Sequence, residues 1–97
     1  MKVVYHRLAV RDARQILDYY ETEAGAELAD RFFQELLTSV RKALANPRHY
    51  PPIGKTLRRA NLADFPYHFL FQEKPWGIKV LVLRHHHRSP CYGLRRQ

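Results

Sequence analysis

The chain is short of several things that other classes of protein require. It has a single cysteine, Cys91, among 97 residues, so no internal disulfide can form, as expected of a protein in a reducing compartment. No run approaches the ~18 consecutive apolar residues of a membrane span. The start, MKVVYHRLAVRDAR, carries charges where a signal peptide needs an unbroken apolar stretch. These absences predict a cytoplasmic protein with no membrane partner. Glycine is scarce, at four residues, and 45% of the chain is hydrophobic, which excludes a disordered basic tail. The most telling shortage is of acid. Residues 46–97 contain only Asp64 and Glu73 against ten Lys/Arg, whereas residues 1–45 balance seven Lys/Arg with seven Asp/Glu. The whole net charge of +8 therefore lies in the second half, with five of the six histidines. That asymmetry points to an anionic partner, either nucleic acid or an acidic protein.

The length predicts one domain over 1–97, with a single modest core. Val3, Val4 and Tyr5 read as a short strand. From about Val10 the period becomes helical: Ala13, Ile16, Leu17, Tyr20 and Ala24 recur with Arg11, Asp12, Arg14 and Asp18 between them. Gly25 is a helix stop. A second helix runs from about Ala26 to Ala45, with Ala29, Phe32, Phe33, Leu36, Val40, Ala43 and Leu44 as its apolar stripe. Asn46-Pro47 ends it. Residues 46–56 read as a loop and Leu57–Asn61 as a strand. Tyr67–Gln72 and Ile78–Arg84 form a hairpin across the five-residue link EKPWG. In its first strand Tyr67, Phe69 and Phe71 alternate with His68, Leu70 and Gln72, and the aromatic set reads as core rather than as a stacking platform for bases. In its second, Val80 and Val82 share one face, Leu81 and Leu83 the other. The expected fold is α+β in the order β-α-α-β-β-β, a helical hairpin packed on a small antiparallel sheet.

This order of elements, FPY at 65–67 leading into a strand, and the ending His85-x-x-Arg88-x-Pro90 together resemble the RelE/ParE superfamily. These are toxins of type II toxin–antitoxin systems, often described as plasmid stabilisation proteins. The resemblance implies a small toxin neutralised by a cognate antitoxin whose acidic strand or helix wraps over it. The superfamily divides on mechanism. RelE-like members cut mRNA on the ribosome without metal; ParE-like members act on DNA gyrase. RelE-like nucleases carry basic residues on the strand before the hairpin, where Arg59 matches and Asn61 departs. They carry an arginine after the tyrosine that opens the next strand, where this chain has His68. They carry another arginine after the last strand, which an ungapped match puts at His87 beside Arg88, and a tyrosine near the end, for which Tyr92 stands. FPY and HxxRxP resemble the ParE-like branch instead.

On the nuclease reading, His68 and His87 are the acid–base pair of RNA self-cleavage, since imidazole moves protons near neutrality. Arg59, Arg84 and Arg88 clamp phosphate, with Arg58 and His85 beside them as phosphate or partner contacts, and Tyr92 stacks on a base. The competing reading puts His68 on a solvent face and leaves the HHHR run to solubilise a sheet edge. No cofactor and no metal is expected. On a continuing strand only His85 and His87 share a face, with His86 opposite, and no Cys pair or carboxylate lies near. Cys91 reads as incidental rather than nucleophilic. Leu94 to Gln97 is either a phosphate contact or an antitoxin-docking segment, and such an end is disordered by default. Three readings follow: a ParE-like toxin that inhibits gyrase, which the sequence favours; a RelE-like endoribonuclease acting on ribosome and mRNA; and a non-toxic antitoxin-binding module.

Overall fold

The computed structural model describes residues 1–97. Strand β1 (Lys2–Tyr5) leads into helix α1 (Arg7–Ala24) and helix α2 (Ala26–Ala45); a 3₁₀ turn (Pro47–His49) precedes strands β2 (Pro52–Ile53), β3 (Leu57–Asn61), β4 (Tyr67–Lys74) and β5 (Gly77–His85). Helix α1 starts a turn earlier than the hydrophobic period indicates, because the His6 imidazole caps it by accepting from the Leu8 N–H at 3.0 Å. Gly25, at φ 95°, ends α1 with its N–H on the Glu21 carbonyl and also opens α2. The two helices are thus joined by one residue. No helix is long and apolar enough to cross a membrane.

The α+β architecture is as expected, a helical hairpin on one sheet, and the sheet differs in three respects. Residues 46–56 are not wholly loop, since Pro52 and Ile53 pair with Arg58 and Leu57 as an edge strand. The sheet is mixed rather than antiparallel: its order is β1-β5-β4-β3-β2, and β1 runs parallel to β5. The helices carry the chain from β1 to the far edge of the sheet, and β2 to β4 bring it back, a connection long enough for parallel pairing. The β4–β5 hairpin is also longer than the sequence pattern indicates, turning on Pro75 and Trp76 alone. Gly77 lets β1 lie close against the start of β5, because a Cβ there would lie 1.8 Å from the Lys2 carbonyl oxygen.

A bulge redirects the second strand. Leu70 pairs with Val82 and Phe71 with Val80, leaving Leu81 unmatched. The simple alternation expected for Val80 to Leu83 therefore fails. Ile78, Val80 and Leu83 join the helix-side core, while Leu81 and Val82 both pack with Leu70 on the outer face. The helix-side core includes Phe32, Leu36, Val40, Phe69 and Phe71, with Phe32 meeting Phe65 and Tyr67 edge to face. The outer cluster is closed by Ile53, Leu57 and Tyr92. Gly93 lets the C-terminal segment lie this close, since φ is 81° and a Cβ would meet Val82 at 2.4 Å.

Asp12 holds that segment in place. The sequence pattern puts it among the polar residues between the α1 stripe, yet it is only 4% exposed. Strand β1 reaches no further along β5 than Val80, so the next part of that edge lacks a strand partner. Asp12 accepts from the Leu83 N–H at 3.1 Å and from the Tyr92 hydroxyl at 2.7 Å, and pairs with Arg96 at 2.6 Å. Arg96 in turn donates to the Leu81 carbonyl at 2.9 Å. A carboxylate and a guanidinium thus stand in for the absent strand, and the tail expected to be disordered is docked through Arg96. Burial alone would lower the Arg96 pKa, but the bond to Asp12 and its charge raise it.

Removing Asp12 strands a buried guanidinium, so Asp12→Ala is predicted to cost about 3–5 kcal/mol in urea unfolding. Asp12→Ala with Arg96→Met is predicted to cost less than the sum of the two single changes. A loss under about 1 kcal/mol for Asp12→Ala would contradict this role, being the worth of an exposed pair.

Candidate functional site

Three strands bring their polar ends together on the outer face, away from the helices. Arg59 and Asn61 come from β3, His68 from β4 and Arg84 from β5, with Arg59 opposite Leu70, Asn61 opposite His68, and His68 opposite Arg84. The bulge at Leu81 makes this possible, because without it Arg84 would share the helix side with Val80. After β5 the chain turns, with the Arg88 N–H on the His85 carbonyl, and His86 folds back over His68.

His68 is not the solvent-facing strand residue of the competing sequence reading; it is 1% exposed. Arg84 Nε–H donates to His68 Nε2 at 2.9 Å. A guanidinium cannot accept, so this bond assigns the His68 proton to Nδ1, which donates to His86 Nδ1 at 3.0 Å. The two imidazoles stack at 5.2 Å, 13° from parallel. Burial first, then Arg59, Arg84 and the neighbouring histidines, lower the His68 pKa to about 4. It is therefore neutral near pH 7. The His86 pKa is lowered too, by burial and then by Arg59. Arg59 Nη2 lies 3.4 Å from His86 Nδ1, and its Nε–H donates to the Asn61 side chain at 2.9 Å.

The structure does not bring together the two histidines named as an acid–base pair. His87 is exposed, its backbone N–H bonded to His85 Nδ1 at 3.0 Å and its ring against that of His85. The histidine at His68 is His86, one residue from the ungapped match. Strand parity held the clue, since positions 84 and 86 fall on one face and 85 and 87 on the other.

The arginines also divide. Arg84, 7% exposed, directs Nη1 at the carbonyls of Pro90 and Tyr92, both at 2.9 Å. It organises the C-terminal turns from inside instead of facing solvent as a phosphate clamp. Burial and then Arg59 lower its pKa. Arg58 lies on the helix side and donates to the Tyr50 carbonyl at 2.8 Å, apart from the cluster. Arg88 is exposed and covers the Tyr92 ring at 4.0 Å, with Arg96 at 5.0 Å. Tyr92 thus stacks on arginine and spends its hydroxyl on Asp12. Arg84, His85, Arg88 and Tyr92 do share one cavity of about 210 Å³ with Asp12, Gln15, Tyr19 and Tyr67. Sequence reasoning missed Asp12, His86 and Arg96. Of these only His86 left a readable signal; the role of Asp12 needs β1 to stop short of Leu81.

The sign of the pH response follows from His68. Its folded pKa lies below the unfolded value of 6.5, so the unfolded state binds more protons between pH 6.5 and about 4. Its contribution is full above that window and is lost as pH falls through it. His68→Gln keeps an acceptor for Arg84 but cannot titrate. Between pH 7 and pH 5 it is predicted to lose about 2 kcal/mol less unfolding free energy than the parent chain. Parallel profiles for the two proteins would contradict the assignment.

The comparisons with known proteins bear on the fold and the family. No curated protein matches the chain. A chromosomal ParDE toxin–antitoxin system from P. aeruginosa is similar in structure, with a TM-score of 0.77 at 25% identity, over 88% of this chain and 95% of that one. The family described as the ParE toxin of the type II toxin–antitoxin system parDE matches residues 3–90. The chain belongs to this ParE family and is the toxin of a type II toxin–antitoxin system, with a cognate antitoxin as partner.

Proposed function

We propose that this toxin arrests growth by binding DNA gyrase rather than by cutting RNA. The observation that carries the reading is the condition of His68. An acid–base catalyst needs an ionisable group with a pKa near the working pH, within hydrogen-bond reach of its substrate. His68 is buried, has a pKa near 4, and has both ring nitrogens engaged, by Arg84 and His86. His87 lies apart, and Arg84 serves the protein's own carbonyls. What would be a nuclease centre is thus occupied by internal bonds, and membership of the ParE family supports the same reading.

The antitoxin has a distinct seat on this account. Tyr5, Ala9, Val10, Ala13, Phe33 and Leu37 help to line a wholly apolar groove of about 210 Å³ between the two helices and the sheet. Tyr5, Val10 and Phe33 are 38%, 38% and 40% exposed, a cluster of large apolar groups that a covering partner would remove from water. An amphipathic antitoxin helix with an apolar stripe fits such a groove.

Purified toxin in excess is predicted to inhibit supercoiling by gyrase, and His86→Ala/His87→Ala to inhibit equally. Messenger RNA in a bacterial translation reaction is predicted to stay intact. Ribosome-dependent cuts that vanish in His68→Ala would overturn the proposal in favour of the endoribonuclease. Absence of growth arrest on overexpression would favour a non-toxic antitoxin-binding module. For the groove, Phe33→Asp is predicted to weaken antitoxin binding at least ~30-fold by titration calorimetry. An unchanged affinity would move the antitoxin elsewhere.

A further inference from the structure

A second basic region lies at the other end of the outer face, by the β4–β5 turn, and neither the His68 cluster nor the apolar groove uses it. Two adjoining cavities of about 350 and 430 Å³ share Thr56, Gln72 and Lys74 and form one open trough. The register explains its chemistry. Gln72 pairs directly with Lys79, and Lys74 follows two residues along β4 on the same outer face. Lys55 enters from the β2–β3 turn and Arg95 from the docked C-terminal segment.

The side chains of Lys55, Lys74, Lys79 and Arg95 make no ion pair and no hydrogen bond. The chain's two salt bridges are Arg48–Glu73 and Arg96–Asp12. The only acidic side chain lining the trough, Glu73, is therefore already engaged by Arg48 at 3.5 Å. Four uncompensated cations gather here around the neutral hydrogen-bonding groups of Thr56, Gln72 and Gln97.

We propose that this trough binds the phosphodiester backbone of a nucleic acid, making the toxin a polyanion-binding protein at a surface separate from its antitoxin groove. An acidic protein is the other partner that charge alone would admit, but the lining disfavours it. Protein interfaces draw their affinity from buried aromatic and apolar anchors and are depleted in lysine. Leu57 and Leu94 are the only hydrophobic residues that the two cavities contribute. Lysines, amides and a hydroxyl along an open channel are instead the pattern of backbone contacts, which position a nucleic acid without reading its bases. The inference does not depend on gyrase being the target.

The test is fluorescence anisotropy of the purified full chain with labelled 20-mers of duplex DNA, single-stranded DNA and RNA across 50–200 mM salt. Lys55→Gln/Lys74→Gln/Lys79→Gln/Arg95→Gln empties the trough of charge. Arg11→Gln/Arg14→Gln/Arg31→Gln/Lys42→Gln removes the same charge from exposed helix positions. Binding to at least one of the three is expected in the micromolar range at 50 mM salt. The trough variant is expected to bind at least tenfold more weakly, with the slope of log K against log[salt] shallower by about 3–4, near one per lost phosphate contact. The helix variant is expected to stay within threefold of the parent. No binding to any of the three, equal losses in both variants, or equally tight binding of labelled polyglutamate would overturn the proposal.

Discussion

The carboxylate of Asp12 is the contact on which the arrangement of this protein's outer face depends. It is a buried charge, and a buried charge persists only when paired and hydrogen-bonded. Asp12 has a guanidinium, a phenol and a backbone amide. The amide belongs to β5 and the other two partners to the C-terminal segment, so one residue of α1 ties the helical hairpin, strand β5 and the last turns together. Through Tyr92 it seals the cluster of Leu70, Leu81 and Val82, and through Arg96 it completes an edge of β5 that β1 leaves unpaired. The order of the C-terminal segment is therefore a property of helix α1 as much as of its own residues.

That segment determines the character of the histidine cluster. Its turn folds His86 over His68, and its carbonyls hold the guanidinium of Arg84, whose Nε–H then assigns the His68 tautomer. The bulge at Leu81 contributes equally, by turning Arg84 to the outer face. Imidazoles and arginines crowd together here, yet their donors and acceptors face one another. The cluster reads as an internal brace of a ParE toxin.

Much of this was legible in the residues. The αα-hairpin follows from two amphipathic stripes and Gly25, and α2 runs over the span that its apolar period and Asn46-Pro47 mark. The hairpin of β4 and β5 follows from alternation and a Pro-Gly link. What was illegible rests on long-range geometry. A bulge leaves no mark in a run such as Val80-Leu81-Val82-Leu83, where every residue is apolar and either phase is plausible. Asp12 resembles any polar residue on a helix until one knows that β1 ends beside Val80. Arg96 resembles a loose terminal cation until Asp12 is known to be buried. The candidate site was named in the right neighbourhood, but residue-by-residue matching chose His87 where the face of the strand selects His86.

The ionisation of His68, read from its ring nitrogens by ¹⁵N-resolved NMR across pH, is the deciding measurement. A neutral imidazole at pH 7 with the proton on Nδ1 is expected, and no protonation until the pH falls toward about 4. A His68 that titrates near the ordinary value of about 6.5, or carries its proton on Nε2, would contradict that expectation and return this cluster to acid–base chemistry.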